Sequence, residues 1–477
     1  MNNYYLTTSI PYVNGEPHIG HALELVIADA LARYKREMGE NVLFSTGTDE
    51  HGAKIEQKAK SENSEPQDFV DRISGEFERL IKELNISNDR FIRTTDPEHE
   101  KSVKKIWKKL ENDIYKSVYI GWYCTGDEAF FTETEVKENN GICPNHNKPF
   151  EKVEEENYFF RLSKYGPKIA ELIKSGKFNI VPETRRNEIL SFIETGLEDI
   201  SVSRPKTSTS WGISVPGDAK QTIYVWLDAL LNYITVLGYP DGEDFRHFWP
   251  ARTQIIGKDI IRFHAAIWPA ILMSLGLPLP KNLYVHGFIS IEGQKMGKSL
   301  GNFISPFDLI EAYGVEPLRY YLLKRIPSYA DGDYSRSLLK ETYDKELANE
   351  LGNAVQRVAT MVERFLGGRL ESNVQSEHDD GAYHQAISEY RFDRALEEVW
   401  RQVKGINQYI DEEKPWQLAK DEDKEHLEEV LGTMVSGLLQ AGRLLKPFMP
   451  DTADKIIGIF SSSPIIAPQT PLFPRLD

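Results

Sequence analysis

Near the N-terminus the hydrophobic pattern changes period. Tyr4 to Ser9 is β-prone, and Asn14-Gly15 is a turn signal. Leu23, Val26, Ile27, Ala30, Leu31 and Tyr34 then keep helical spacing until Gly39 stops it. Val42 to Ser45 reads as a second short strand. Strand, helix and strand in that order predict a βαβ unit with parallel pairing and a right-handed crossover. The texture changes near Tyr115: residues 116–215 are rich in turns and aromatics. Strand-like and helical segments resume at Thr222 to Tyr233, Gln254 to Ile256, Ile260 to Leu275 and Leu283 to Ile289. After Leu338 the pattern is helical. Phe392, Ala395, Leu396, Val399, Trp400, Val403, Ile406 and Ile410 form one apolar stripe, the signature of a core-facing helix. The expected class is α/β: a Rossmann-like parallel-sheet domain in two halves, 1–115 and 216–340. A connective module at 116–215 is inserted between them, and an α-helical bundle follows within 341–477.

Composition adds little to that outline, with 40% hydrophobic and 27% charged residues. Met1-Asn2-Asn3-Tyr4-Tyr5 lacks a basic start before an apolar core, so no targeting signal is expected. The most apolar stretch, Ala265 to Leu277, is too short to span a bilayer. These features lead to the expectation of a soluble, cytoplasmic protein with no membrane partner. A net charge of −16 argues against nonspecific nucleic-acid binding but leaves room for a local basic surface. Lys101, Lys104, Lys105, Lys108 and Lys109 share one helical face, opposite Val103, Ile106, Trp107 and Leu110. That face is a solvated helix surface or an RNA-backbone contact.

Two elements carry candidate chemistry. His18-Ile19-Gly20-His21 opens the first helix, where unpaired N–H groups and a partial positive charge suit phosphate. Gly20 allows close approach to the backbone, and His18 and His21 can donate to phosphoryl oxygens. Far along the chain, Lys295-Met296-Gly297-Lys298-Ser299 places two lysines in a Gly-flanked loop able to close on a triphosphate. It is not a Walker loop, because position 292 is Glu where that pattern needs Gly. Alone, the first element could be capping or surface histidines and the second an exposed basic turn.

Together and in this order they resemble the HIGH and KMSKS signatures of class I aminoacyl-tRNA synthetases. Gly297 stands where the second signature has Ser. Within that class the flanking segments resemble the methionyl-tRNA synthetase family over nearly the whole chain. They include Thr48-Asp49-Glu50-His51-Gly52, Ser201-Val202-Ser203-Arg204, Tyr224-Val225-Trp226-Leu227-Asp228-Ala229 and Gly257-Lys258-Asp259-Ile260 through His264. The resemblance implies ATP-dependent activation of L-methionine, then transfer to tRNA(Met). His18, His21, Lys295 and Lys298 would be catalytic, and His18, Gly20, His21, Gly257, Asp259, His286, Gly287, Lys295 and Lys298 would bind ATP with Mg2+. Ile10, Tyr12, Asp49, Trp226, Ala229, Tyr233, Ile260 and His264 would form the methionine pocket. Asp49 pairs with the ammonium, Trp226 and Ile260 enclose the thioether, and Tyr12 and His264 offer polar contacts to sulfur.

Both cysteines fall in the inserted module. Cys124, Asp127, Cys143 and His146 have the spacing of a zinc knuckle and form a chemically allowed zinc set. The alternative is a degenerate knuckle held by packing alone. In the bundle the resemblance gives Asn353, Arg357 and Trp416 the anticodon, by stacking and base-edge hydrogen bonds. A core position is the alternative for Trp416. No appended dimerisation domain is visible, so a monomer is expected. The competing functions are a class I synthetase for another amino acid and a noncatalytic RNA-binding paralogue.

Overall fold

The computed structural model describes residues 2–124, 129–131, 133–144, 147–297, 301–370 and 379–476. The chain divides into two compact units. The first comprises Met1–Pro17, Glu40–Arg79 and Asn88–Val285, and the second His18–Gly39, Leu80–Ser87 and His286–Asp477.

The first unit is built on a six-stranded sheet of β1 (Asn3–Thr7), β2 (Asn41–Thr48), β3 (Arg90–Arg93), β4 (Asn179–Val181), β5 (Thr253–Gly257) and β6 (Asn282–His286). The spatial order is β3-β2-β1-β5-β6-β4. β1 pairs in parallel with β2 on one side and β5 on the other, β2 pairs in parallel with β3, and β6 with β4. The expected parallel pair of strands is therefore present. β2 runs further than Val42 to Ser45, because its polar second half finds partners inside. The Tyr5 hydroxyl meets Ser45 Oγ at 3.0 Å, and Thr8 Oγ1 donates to Thr46 Oγ1 at 2.7 Å. Hydroxyls bonded in this way can be buried at little cost, so the strand need not stop where apolarity ends.

The segment read as an insert contributes to this sheet. Residues 116–215 contain β4, which closes one edge. The rest of that segment includes a long antiparallel ribbon, Ile114–Cys124 against Glu151–Phe160. Helix α1 (Ile19–Glu37) belongs to the second unit; α2 (Pro97–Lys109) and α3 (Val225–Thr235) belong to the first. α2 buries His99, Val103, Ile106 and Trp107, which leaves the lysine face outward as its spacing predicted. Trp107, Phe160, Tyr233 and Trp268 lie in one large apolar cluster of this unit.

In the second unit, α1 is tied to α4 (Val315–Arg325) by a buried ion pair. Arg319, with no exposed side-chain surface, donates to Asp29 Oδ2 at 2.6 Å, to Leu84 O at 3.1 Å and to Phe448 O at 2.8 Å. The helices α5 (Asn353–Leu366), α6 (Phe392–Glu413), α7 (Lys424–Leu445) and α8 (Pro450–Ser461) follow. All eight residues of the predicted stripe on α6 are buried, and Trp400 stacks on Tyr320 with centroids 4.4 Å apart. None of the described helices is long and apolar enough to cross a membrane.

Candidate active site

In a parallel sheet, ligands gather beyond the carboxyl ends of the strands, at the point where the strand order reverses. Here that point is beside β1, whose neighbours β2 and β5 lie on either side. Ile10 and Tyr12 follow β1, Asp49 follows β2, and Asp259 and Ile260 follow Gly257 at the end of β5. Tyr12 and Asp49 face each other in a parallel bridge: Asp49 N–H donates to Pro11 O at 2.9 Å, and Val13 N–H donates to Asp49 O at 3.1 Å. Asp49 is buried, while Ile10 and Tyr12 are half-buried.

Helix α3 presents Trp226, Ala229 and Tyr233 at i, i+3 and i+7, on one face. Trp226 stacks on Phe263 with ring centroids 3.8 Å apart, and its buried Nε1 has no hydrogen-bond partner among the described residues. His264 Nδ1 lies 3.0 Å from Ile260 O, so that nitrogen carries the proton. Nε2 then accepts from the Tyr233 hydroxyl at 2.6 Å. Both His264 nitrogens are thus engaged within the protein. The ring thereby orients Tyr233, and Tyr5 holds the same residue from behind by donating to Tyr233 O at 2.9 Å. Gly257 is buried and Asp259 exposed, both in this first unit.

The second unit carries the phosphate-type residues. His18 is the N-cap of α1, and its Nδ1 accepts from Gly20 N–H at 3.1 Å. His21 Nδ1 accepts in turn from His18 N–H at 3.2 Å, and the two rings stack with centroids 3.7 Å apart. An accepting Nδ1 leaves the proton of each neutral ring on Nε2, so both rings act as donors there. Burial, and then the neighbouring His18, hold the His21 pKa well below the ordinary imidazole range. A Cβ on Gly20 would stand 3.0 Å from His18 Cε1, which is why a glycine lets the ring fold back over the first turn.

The two signatures meet in this unit through residues 302–304. Ile19 N–H donates to Ile304 O at 3.2 Å, and Phe303 meets the His18 ring edge-on at 6.3 Å. Asn302 braces the lysine loop: it donates to Lys295 O at 3.0 Å and accepts from Gly297 N–H at 2.8 Å. Lys295 is exposed at the end of a tight hairpin whose turn, Glu292 and Gly293, has φ of 50° and 77°. Lys298 lies outside the described residues. His286 Nε2 is 2.8 Å from Glu24 Oε2, one turn along α1 from His21. A Cβ at Gly287 would collide with the Ala330 carbonyl at 2.3 Å. Glu24 was not foreseen; its one signal is a carboxylate set among the apolar positions of α1, where it is buried.

In α5, Asn353 is exposed and Arg357 reaches Asp411 at 3.0 Å. Trp416 is 45% exposed, which removes the core reading for it. Cys124 and Cys143 are buried with Val136 and Phe150 in one small apolar cluster. Asp127 and His146 lie outside the described residues, and among the described residues no group of three or more His, Cys, Asp or Glu could hold a metal.

The sheet order and the paired signatures define a class I synthetase architecture. A family model described as tRNA synthetases class I (M) matches residues 4–150 and 145–359, and the chain belongs to that family. It is 46% identical to the methionine--tRNA ligase of Caldanaerobacter subterraneus subsp. tengcongensis, covering 95% of this chain and 73% of the relative. It is 44% identical to that of Brucella suis, covering 96% and 92%. Mycobacterium tuberculosis methionyl-tRNA synthetase, solved in complex with methionyl-adenylate, superposes with a TM-score of 0.93 at 40% identity, covering all of both chains.

Proposed function

We infer that this chain activates L-methionine with ATP and transfers the aminoacyl group to tRNA(Met). One observation carries the reading: a relative holding methionyl-adenylate shares this fold along its full length. The methionine carboxylate attacks the α-phosphorus, the bond to the β,γ-phosphates breaks, and pyrophosphate leaves. The terminal ribose hydroxyl of tRNA then attacks the adenylate carbonyl and expels AMP. No covalent enzyme intermediate is required, so catalysis consists of positioning and charge stabilisation.

We assign phosphoryl stabilisation to His18 and His21 through their Nε2–H donors, and to Lys295 and Lys298 through their ammonium groups. Neutral imidazole suits this role because it donates a hydrogen bond without needing a proton from solvent. Gly20, Gly257, Asp259, His286 and Gly287 complete the ATP site, and magnesium carried in with ATP neutralises its triphosphate. Asp49 takes the ammonium, while Ile10, Ala229, Ile260 and the Trp226 face enclose the thioether. Tyr12 and His264 take the polar contacts to sulfur, the latter bonded to the Tyr233 hydroxyl. Methionine differs from homocysteine by one methyl, so apolar packing here discriminates by about 1–3 kcal/mol.

Asn353, Arg357 and Trp416 read the anticodon in this proposal, and the working form is a monomer. For the cysteine segment, stoichiometric zinc in protein purified without chelator supports Cys124, Asp127, Cys143 and His146 as ligands. Absence of zinc supports packing alone. The decisive assay for the whole reading is ATP–pyrophosphate exchange tested across amino acids. Exchange with methionine alone is expected; no exchange with any amino acid means an RNA-binding paralogue.

A further inference from the structure

Directly after Asp49, two residues anchor in opposite directions. Glu50, with no exposed side-chain surface, accepts from Arg93 Nε at 2.7 Å and Nη2 at 2.9 Å, from Thr48 Oγ1 at 2.6 Å and from Thr95 Oγ1 at 2.5 Å. His51 turns the other way, and its Nδ1 meets Asp228 Oδ2 at 2.7 Å. The second oxygen, Oδ1, is taken at 2.8 Å by Nε2 of His99 on α2. His99 Nδ1 closes the chain at 2.7 Å on Thr235 Oγ1, on α3. His51, His99 and Asp228 are all buried. Around them, Trp211 packs edge-on against His51 at 5.6 Å and Glu100 stands 4.0 Å from His51 Nε2.

Asp228 sits on α3 among residues that form the amino-acid pocket in the reading above, but on another side of the helix. At 100° per residue, Ala229, Tyr233 and Trp226 all fall between about 100° and 160° away from it. Its carboxylate therefore faces α2 and the Asp49 segment while Trp226, Ala229 and Tyr233 point away from it. Burial alone would raise the carboxyl pKa, but His51 and His99 outweigh it and bring it down to about 2. A buried anion with two N–H donors is strongly directional, because neither oxygen can turn without losing a partner.

We propose that Asp228 is a positioning residue for methionine: clamped between His51 and His99, it fixes the distance between the Asp49 carboxylate and the Trp226–Tyr233 face of α3. The inference rests on the methionine-activating reading and adds to it a determinant that does not touch the substrate. The ammonium is then held at one end of the pocket and the thioether at the other, with the span set by this buried triad. A misplacement of about 1 Å can cost around 100-fold in such a site.

The test is pyrophosphate exchange, with methionine binding by calorimetry alongside it, on full-length wild type, His51→Ala, His51→Asn and Asp228→Asn. The asparagine amide N–H stands close to where imidazole Nδ1–H does, so His51→Asn keeps the bond to Asp228 and His51→Ala loses it. For His51→Ala and Asp228→Asn the KM and Kd for methionine should rise about tenfold or more, the KM for ATP should stay within about twofold, and His51→Asn should recover most of the loss. Unchanged methionine KM in His51→Ala overturns the inference. So does a joint rise in both KM values that His51→Asn fails to restore, since that describes general loss of structure. A wild type that neither exchanges nor binds methionine refutes the underlying function instead, which keeps the two failures apart.

Discussion

At the scale of single residues, hydrogen-bond direction decides chemistry. The caps on α1 place the protons of His18 and His21 on Nε2, and an imidazole with a depressed pKa stays neutral there as pH falls. Below about pH 6.5 the unfolded chain takes up a proton at His21 that the folded chain refuses. Stability linked to this residue is therefore intact above that pH and declines below it. Urea midpoints measured from about pH 8 to about pH 5 should fall less steeply for His21→Asn than for wild type. Parallel curves would disprove the assignment. Lys298→Ala should lower adenylate formation about 10²–10³-fold, the range for losing one transition-state donor; unchanged pyrophosphate exchange refutes the role. Trp416 offers an exposed ring, and stacking on a base is worth about 1–3 kcal/mol. Trp416→Ala should therefore reduce kcat/KM for tRNA charging by about 5- to 150-fold and leave pyrophosphate exchange intact.

At the scale of elements, the second unit depends on one buried cation. Arg319 satisfies Asp29 and three backbone carbonyls, and together with Arg33 it holds Asp29 below the usual carboxylate range although burial pushes the other way. Removing one partner of such a pair costs about 3–5 kcal/mol, because the other charge stays buried. Arg319→Ala should lower the unfolding free energy by that amount in urea titration. A loss below about 1 kcal/mol would mean that Arg33 alone suffices for Asp29. Elements were also where the pattern in the sequence was most and least readable. The α6 stripe was complete because eight apolar residues at helical spacing can satisfy only one face. The end of β2 is hidden in the sequence because Thr46 and Thr48 look like a loop until their hydroxyl partners are known. β4 gave no signal of its own: three residues, Asn179 to Val181, become a sheet edge only because β6 lies beside them.

At the scale of the whole molecule, specificity is the property to test. Exchange with methionine should exceed that with leucine, isoleucine, valine and cysteine, and sedimentation should give the monomer mass. Comparable exchange with a branched amino acid would contradict the Trp226 and Ile260 pocket. Local sequence determined which residues could carry the chemistry. His18, Gly20, His21 and Lys295 are legible because a helix start and a glycine-flanked loop impose their geometry on a few neighbouring residues. Tertiary structure alone decided which buried groups answer to one another: Glu24 to His286, Glu50 to Arg93, and Asp228 to both His51 and His99. Those pairs are distant in the chain. A buried charge leaves no periodic trace of its partner, because its pairing is set by the energy of desolvation and not by spacing along the backbone.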